Sequence, residues 1–154
     1  MAESEVRRVS VSYWMIEGIG VDVEKIRPHL NKRKVLKLIL EQYPDDEEAN
    51  EWKNRRDLRG FDIDDYLYGN LFDNLGDLLT HCDDTNTLTY GDDGDGGIYL
   101  YYPPSMPWHR VPNEPDSQKE VHRRIIEAVM KVTDLDFHAI DEMINDDIYE
   151  VGCG

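Results

Sequence analysis

Between Gly60 and His109 the chain carries ten Asp and neither Lys nor Arg. A stretch so charged cannot be buried whole, yet its apolar residues are not scattered. Ile63, Leu67, Leu71, Leu75, Leu78, Leu79 and Cys82 recur at spacings of three and four, which is the period of one helical stripe facing a core. The pattern predicts a helix over 62–82, or two helices broken near Gly69 or Gly76. At about 100° per residue Asp62, Asp65, Asp73 and Asp77 fall opposite the Leu stripe. Asp73 and Asp77 then form a like-charge i,i+4 pair costing about 0.2–0.5 kcal/mol, with no nearby cation to offset it.

The flanking sequence supplies strands and further helices. Arg8–Ile16 alternates and then becomes continuously apolar with β-branched and aromatic enrichment, so it reads as a strand ending near Glu17-Gly18. Residues 87–90 (TLTY) and 98–102 (IYLYY) flank a Gly- and Asp-rich turn and read as a hairpin. Ile148–Val151 fits a closing strand beside the first. Val21–Leu30 reads as a short helical turn capped by Asp22. A helix follows from the N-cap candidate Asn31, with Val35, Leu36, Ile39, Leu40 and Tyr43 on one face, and stops at Pro44. Asp45–Arg59 is mixed in sign and fits an exposed helix or loop. Ser117 and Glu120 make a capping box that opens a helix to about Val132. A chain of 154 residues, 40% of them apolar, is the size of one domain. The expected fold is a single α+β domain over residues 1–154, a small antiparallel sheet packed against three to four helices.

Charge is unevenly placed. Residues 1–60 carry twelve basic and twelve acidic groups, residues 61–115 one and eleven, and residues 116–154 four and ten. A net charge of −16 argues against a protein that itself grips nucleic acid or an anionic membrane, since those partners need Lys and Arg to displace counterions. A charge-steered partner should be a basic protein surface. Asp62, Asp65, Asp73 and Asp77, joined by Asp83, Asp84, Asp92, Asp93 and Asp95 from the following turn and hairpin loop, are the candidates for one broad negative interface. Tyr101, Tyr102 and Trp108 are candidate anchors beside it, although a hairpin packing its own aromatics onto a core looks the same in sequence. Cys82 and Cys153 lack a CxxC spacing, and the N-terminus lacks the apolar run of a signal peptide or membrane span. These features suggest a reducing, cytoplasmic setting.

Signatures of catalysis are missing. The Asp92–Asp95 loop has the hard oxygen ligands of a Ca²⁺ site, but an EF-hand register starting at Asp93 puts Pro104 where a bidentate Glu is needed. Pro44-Asp45 with Glu51-Trp52-Lys53 superficially matches a nuclease signature in which two carboxylates hold Mg²⁺, at the wrong spacing and in a helical context. The five His show no HxxxH or HExxH spacing, and no phosphate-binding glycine loop is present. No catalytic residue, metal ligand or cofactor is assigned.

In size, acidity and lack of a catalytic motif, the chain resembles the small inhibitors encoded by phages and mobile elements, among them anti-CRISPR proteins and other DNA mimics. This is a likeness of overall character that transfers no site residue. It implies a protein of the host-cell cytoplasm that occupies the basic DNA-binding groove of a nucleic-acid-handling enzyme, such as an RNA-guided nuclease. Two other functions fit the same residues: a metal-binding module or metal-dependent enzyme built on Asp92–Asp95, and a structural adaptor binding through its aromatic region.

Overall fold

The computed structural model describes residues 13–67, 72–92, 97–102 and 118–153. Its sheet is built on β1 (Tyr13–Asp22), which pairs antiparallel with β4 (Ile144–Cys153) from Tyr13 opposite Cys153 to Val21 opposite Ile144. The last four residues of β1 also pair with β3 (Ile98–Tyr102), and β2 (Thr89–Asp92) completes the four-stranded order β2-β3-β1-β4. The closing strand therefore lies beside the first one, as its sequence suggested. The first strand runs further than expected, through Glu17-Gly18 to Asp22. The register shifts between Gly18 and Gly20, where a bulge takes up an extra residue of β4 opposite the glycines that read as a stop.

Seven α-helices are present among the described residues, several of them short. Asp and Asn set their starts by accepting hydrogen bonds from backbone N–H groups that have no partner within the helix. Asp22 accepts from Glu24 N at 2.9 Å and opens α1 (Val23–Ile26). Asn31 accepts from Lys34 N at 3.1 Å and opens α2 (Lys32–Gln42), as predicted. Asp46 accepts from Ala49 N at 3.0 Å and opens α3 (Glu47–Lys53) within the mixed-charge segment. The Leu-striped segment forms two helices, α4 (Ile63–Leu67) and α5 (Leu75–Thr80). α6 (Gln118–Met130) is followed by α7 (Phe137–Met143), which leads directly into β4. Ser117 lies outside the described residues. Glu120 receives hydrogen bonds from Arg123 and Arg124 at 2.5 and 3.0 Å.

α6 packs on β1 and β3, and α5 packs on β2 and β3. Val121, Ile125, Ile126, Ala128 and Val129 of α6 are buried with Leu78 and Leu79 of α5 and Leu100 of β3. α2 adds Val35, Leu36, Leu38 and Ile39 to the same core. Its N-terminus is tied to the end of α6, where Asn31 N donates to Val132 O and Asn31 Nδ2 to Asp134 Oδ1, each at 2.8 Å. The α+β class and the small antiparallel sheet against helices are as expected. No helix among the described residues is long and apolar enough to cross a membrane.

Candidate acidic interface

The predicted acidic residues divide by what their carboxylates hold. At the start of α4, Ile63, Tyr66 and Leu67 are buried, which leaves Asp62, Asp64 and Asp65 on the exposed side. Asp62 Oδ1 accepts from Asp65 N at 3.1 Å, so it acts as a cap while the residue stays exposed. Asp64 forms an ion pair with Arg27, whose guanidinium also pairs with Glu24.

Asp73 and Asp77 do not share a helix. Asn74 caps α5 by accepting from Asp77 N at 2.9 Å, and Asp73 precedes that cap. Asp77 Oδ2 reaches back to accept from Asp73 N at 2.9 Å, and Asp73 Oδ2 accepts from the Tyr90 hydroxyl at 2.9 Å. This bond to Asp73 holds the Tyr90 phenol above its usual range. The predicted repulsive pair is thus a start-of-helix arrangement in which each carboxylate receives a donor, and both lie where the helix terminus favours negative charge. The even spacing of apolar residues concealed this, because the interruption between α4 and α5 keeps the helical period.

Asp83 is 8% exposed. Its two oxygens accept from Thr85 N, Thr87 N and Leu88 N at 2.7–2.9 Å and from Thr85 Oγ1 at 2.5 Å. Burial alone raises its pKa, but those donors outweigh burial and hold the carboxyl below its ordinary value. It folds the turn into β2. Its neighbour Asp84 is exposed and pairs with Lys131 at 2.6 Å. Tyr101 is buried, with its ring against Gly91, where an added Cβ would stand 3.0 Å from the ring edge. Tyr102 is half-buried, and the Arg124 guanidinium lies 6.0 Å from its ring centroid. Asp92 is the last residue of β2, opposite Ile98. Asp93, Asp95 and Trp108 lie outside the described residues.

Asp62, Asp65 and Asp73 are therefore the predicted carboxylates that are exposed and not neutralised by a cation among the described residues. Two of them sit at helix starts with an oxygen fixed by the protein. This presents charge in a set geometry with little side-chain freedom left to lose on binding.

Sequence reasoning missed a second acidic group. His122 of α6 is bracketed by two carboxylates, Asp141 Oδ1 at 2.8 Å from Nδ1 and Asp146 Oδ1 at 2.7 Å from Nε2, and Gln118 Nε2 donates to Asp146 Oδ2 at 2.5 Å. Burial alone lowers the His122 pKa, and the bonds to Asp141 and Asp146 more than reverse this, so the ring is held cationic above its usual range. The group joins α6 to α7 and β4. Only the i,i+4 spacing of Gln118 and His122 could have hinted at it. No group of three or more His, Cys, Asp or Glu among the described residues has the arrangement of a metal site. Burial pushes the Cys82 thiol up to about 12, and Sγ faces the Leu78 carbonyl at 3.5 Å, so Cys82 is a core residue without a thiolate at neutral pH. No family model, curated protein or solved structure matches this chain.

Proposed function

We propose that the protein works by stoichiometric binding, presenting its acidic side to a basic surface on a nucleic-acid-handling enzyme. In the sharpest form of this reading the surface is a DNA-binding groove, as in an RNA-guided nuclease, and the bound protein keeps the nucleic acid out. The observation that carries it is the pairing of an Asp-rich, Lys- and Arg-free stretch with the exposed, partly fixed carboxylates of Asp62, Asp65 and Asp73. Grooves that track a phosphate backbone are lined with Lys and Arg, and fixed carboxylates meet them without the disorder of a charged tail. The Asp83 carboxylate and the Tyr101 ring are buried and take no part in this contact.

The test begins with affinity purification from the native host and continues with the purified partner. Its Kd should weaken about tenfold or more between low and moderate salt, because exposed charges are screened over a Debye length of roughly 8–10 Å. Asp62→Asn/Asp65→Asn/Asp73→Asn should weaken it similarly and restore DNA binding by the partner. An affinity insensitive to both salt and the triple change rejects the acidic interface.

A further inference from the structure

In a chain of net charge −16, α2 carries a local excess of positive charge. Lys37 is exposed and stands between two surface hollows. The first, about 280 Å³, is lined by Leu36 and Leu40 with Arg33, Lys37 and Lys53 around them. The second, about 490 Å³, is bounded by Lys34, Leu38, Met130 and Lys131. Glu41 borders both, and Asp84 borders the second, so five cations and two carboxylates surround the pair. Met130 is 41% exposed there, and it is one of two large apolar side chains exposed among the described residues.

Most of this positive charge is not cancelled. Arg33 donates to the carbonyl oxygens of Lys53 and Arg55, which orients the guanidinium without neutralising it. Lys34 reaches the carbonyls of Met130 and Thr133, with Asp134 at 3.8 Å. Lys131 pairs with Asp84. The side-chain ammonium groups of Lys37 and Lys53 make no hydrogen bond or ion pair among the described residues, so they are available to a partner.

We propose that this face docks an acidic segment of another protein, one with apolar side chains set between its carboxylates. Apolar floors beside unpaired cations suit a Leu, Met or Phe flanked by Asp or Glu, and they leave a phosphate and sugar no matching contact. Glu41, lying between the hollows, interrupts any continuous run of phosphates. A second copy of this chain fits poorly: its own charge of −16 opposes the approach, and joining one copy's acidic side to another's α2 gives an open head-to-tail chain. Arg33, Lys37 and Glu41 follow one another at i+4, about 6 Å apart along the helix. The complementary segment therefore carries acid, acid and base at that interval. This site does not rest on the acidic interface proposed above, since it lies on other residues and takes a partner of opposite sign.

Selection of a random twelve-residue peptide library against the intact protein tests the site without a known partner. The enriched peptides should carry paired Asp or Glu around a large apolar residue. A labelled peptide made from that consensus should bind about tenfold more weakly to Lys37→Glu/Lys53→Glu, more weakly to Leu40→Ser, and unchanged to Asp62→Asn/Asp65→Asn. Both lysines are exposed and unpartnered, so the double variant should keep the wild-type melting temperature; if it does not, Lys37→Gln/Lys53→Gln provides the comparison. Recovery of no acidic consensus, or of one that binds the double variant equally well, overturns the proposal. So does tighter binding of a twenty-nucleotide oligothymidylate than of the peptide. Concentration-dependent self-association in sedimentation that the double variant abolishes also overturns it, in favour of a second copy.

Discussion

At the start of α4, Asp62 and Asp65 stand exposed, and the one backbone bond they share leaves most of their oxygens to solvent. At the turn after α5, Asp83 is buried and gives both oxygens to the protein's own donors. The two sites belong to one acidic stretch, and each of their carboxylates counts the same in its formal charge. In one the charge is offered outward; in the other it replaces the backbone pairing that a tight turn cannot make for itself. A charge count along a chain therefore overstates the charge of the surface, and burial and donor geometry decide by how much.

The largest effect should come from removing the inward carboxylate. Asp83→Ala leaves the N–H groups of Thr87 and Leu88 without their acceptor, and Leu88 is itself buried. A loss of about 3 kcal/mol in urea unfolding is expected. The pH dependence has a definite sign. Because the folded pKa of Asp83 is depressed, its contribution is present above the unfolded value, near 3.8, and is lost as pH falls through the folded value. Asp83→Asn should flatten acid unfolding in that window. A neutral result at position 83 would mean that the turn closes without its carboxylate, and the contrast with Asp62 would disappear.

Gly91→Ala tests the packing next to that turn. The added methyl meets the buried Tyr101 ring at 3.0 Å, and a loss of about 1.5 kcal/mol is expected. If Tyr101 were instead an outward anchor, its ring would swing aside and the stability would hardly change.

Most of the frame was legible in sequence, for physical reasons that can be named. Asn31, Asp22 and Pro44 act locally, so the limits of α1 and α2 follow from neighbours a few residues away. The hairpin and the strand pairing of the two chain ends follow from alternation and turn composition. The interface residues were less legible, because an Asp looks the same whether it caps, pairs or faces water. Asp84 and Lys131 are far apart in sequence, as are Asp64 and Arg27, and only the fold brings them together. The basic islands at 32–37 and 55–59 have no assigned role in sequence beyond neutralising part of the acidic surface internally. In the structure Lys32 and Arg33 hold carbonyl oxygens of residues 53–58, which joins the two islands across the ends of α2 and α3.

His122 extends the contrast, because Asp141 and Asp146 are half-exposed yet committed to the same ring. Since its folded pKa is raised, the stability it contributes is fully present below the unfolded value, near 6.5, and is lost as pH rises through the folded value. His122→Gln should cost about 1 kcal/mol at pH 6, discounted for the exposure of both carboxylates, and less at pH 9. The variant should also lose the wild type's fall in melting temperature across that range. A wild-type melting temperature that rises between pH 6 and 9 would show that the ring is not held cationic.

The smallest effect on stability, and the one that decides the functional reading, belongs to the outward pair. Asn at position 62 keeps the oxygen that accepts from Asp65 N, and Asp65 is exposed, so Asp62→Asn/Asp65→Asn should shift stability by no more than about 0.5 kcal/mol. Relief of crowding among Asp62, Asp64 and Asp65 works in the favourable direction, most visibly at low salt. The same double variant should lose affinity for the basic partner. Stability and binding then separate, which is expected of carboxylates that serve a surface and not the fold. Destabilisation approaching that of Asp83→Ala would instead place Asp62 and Asp65 among the residues that hold the chain together.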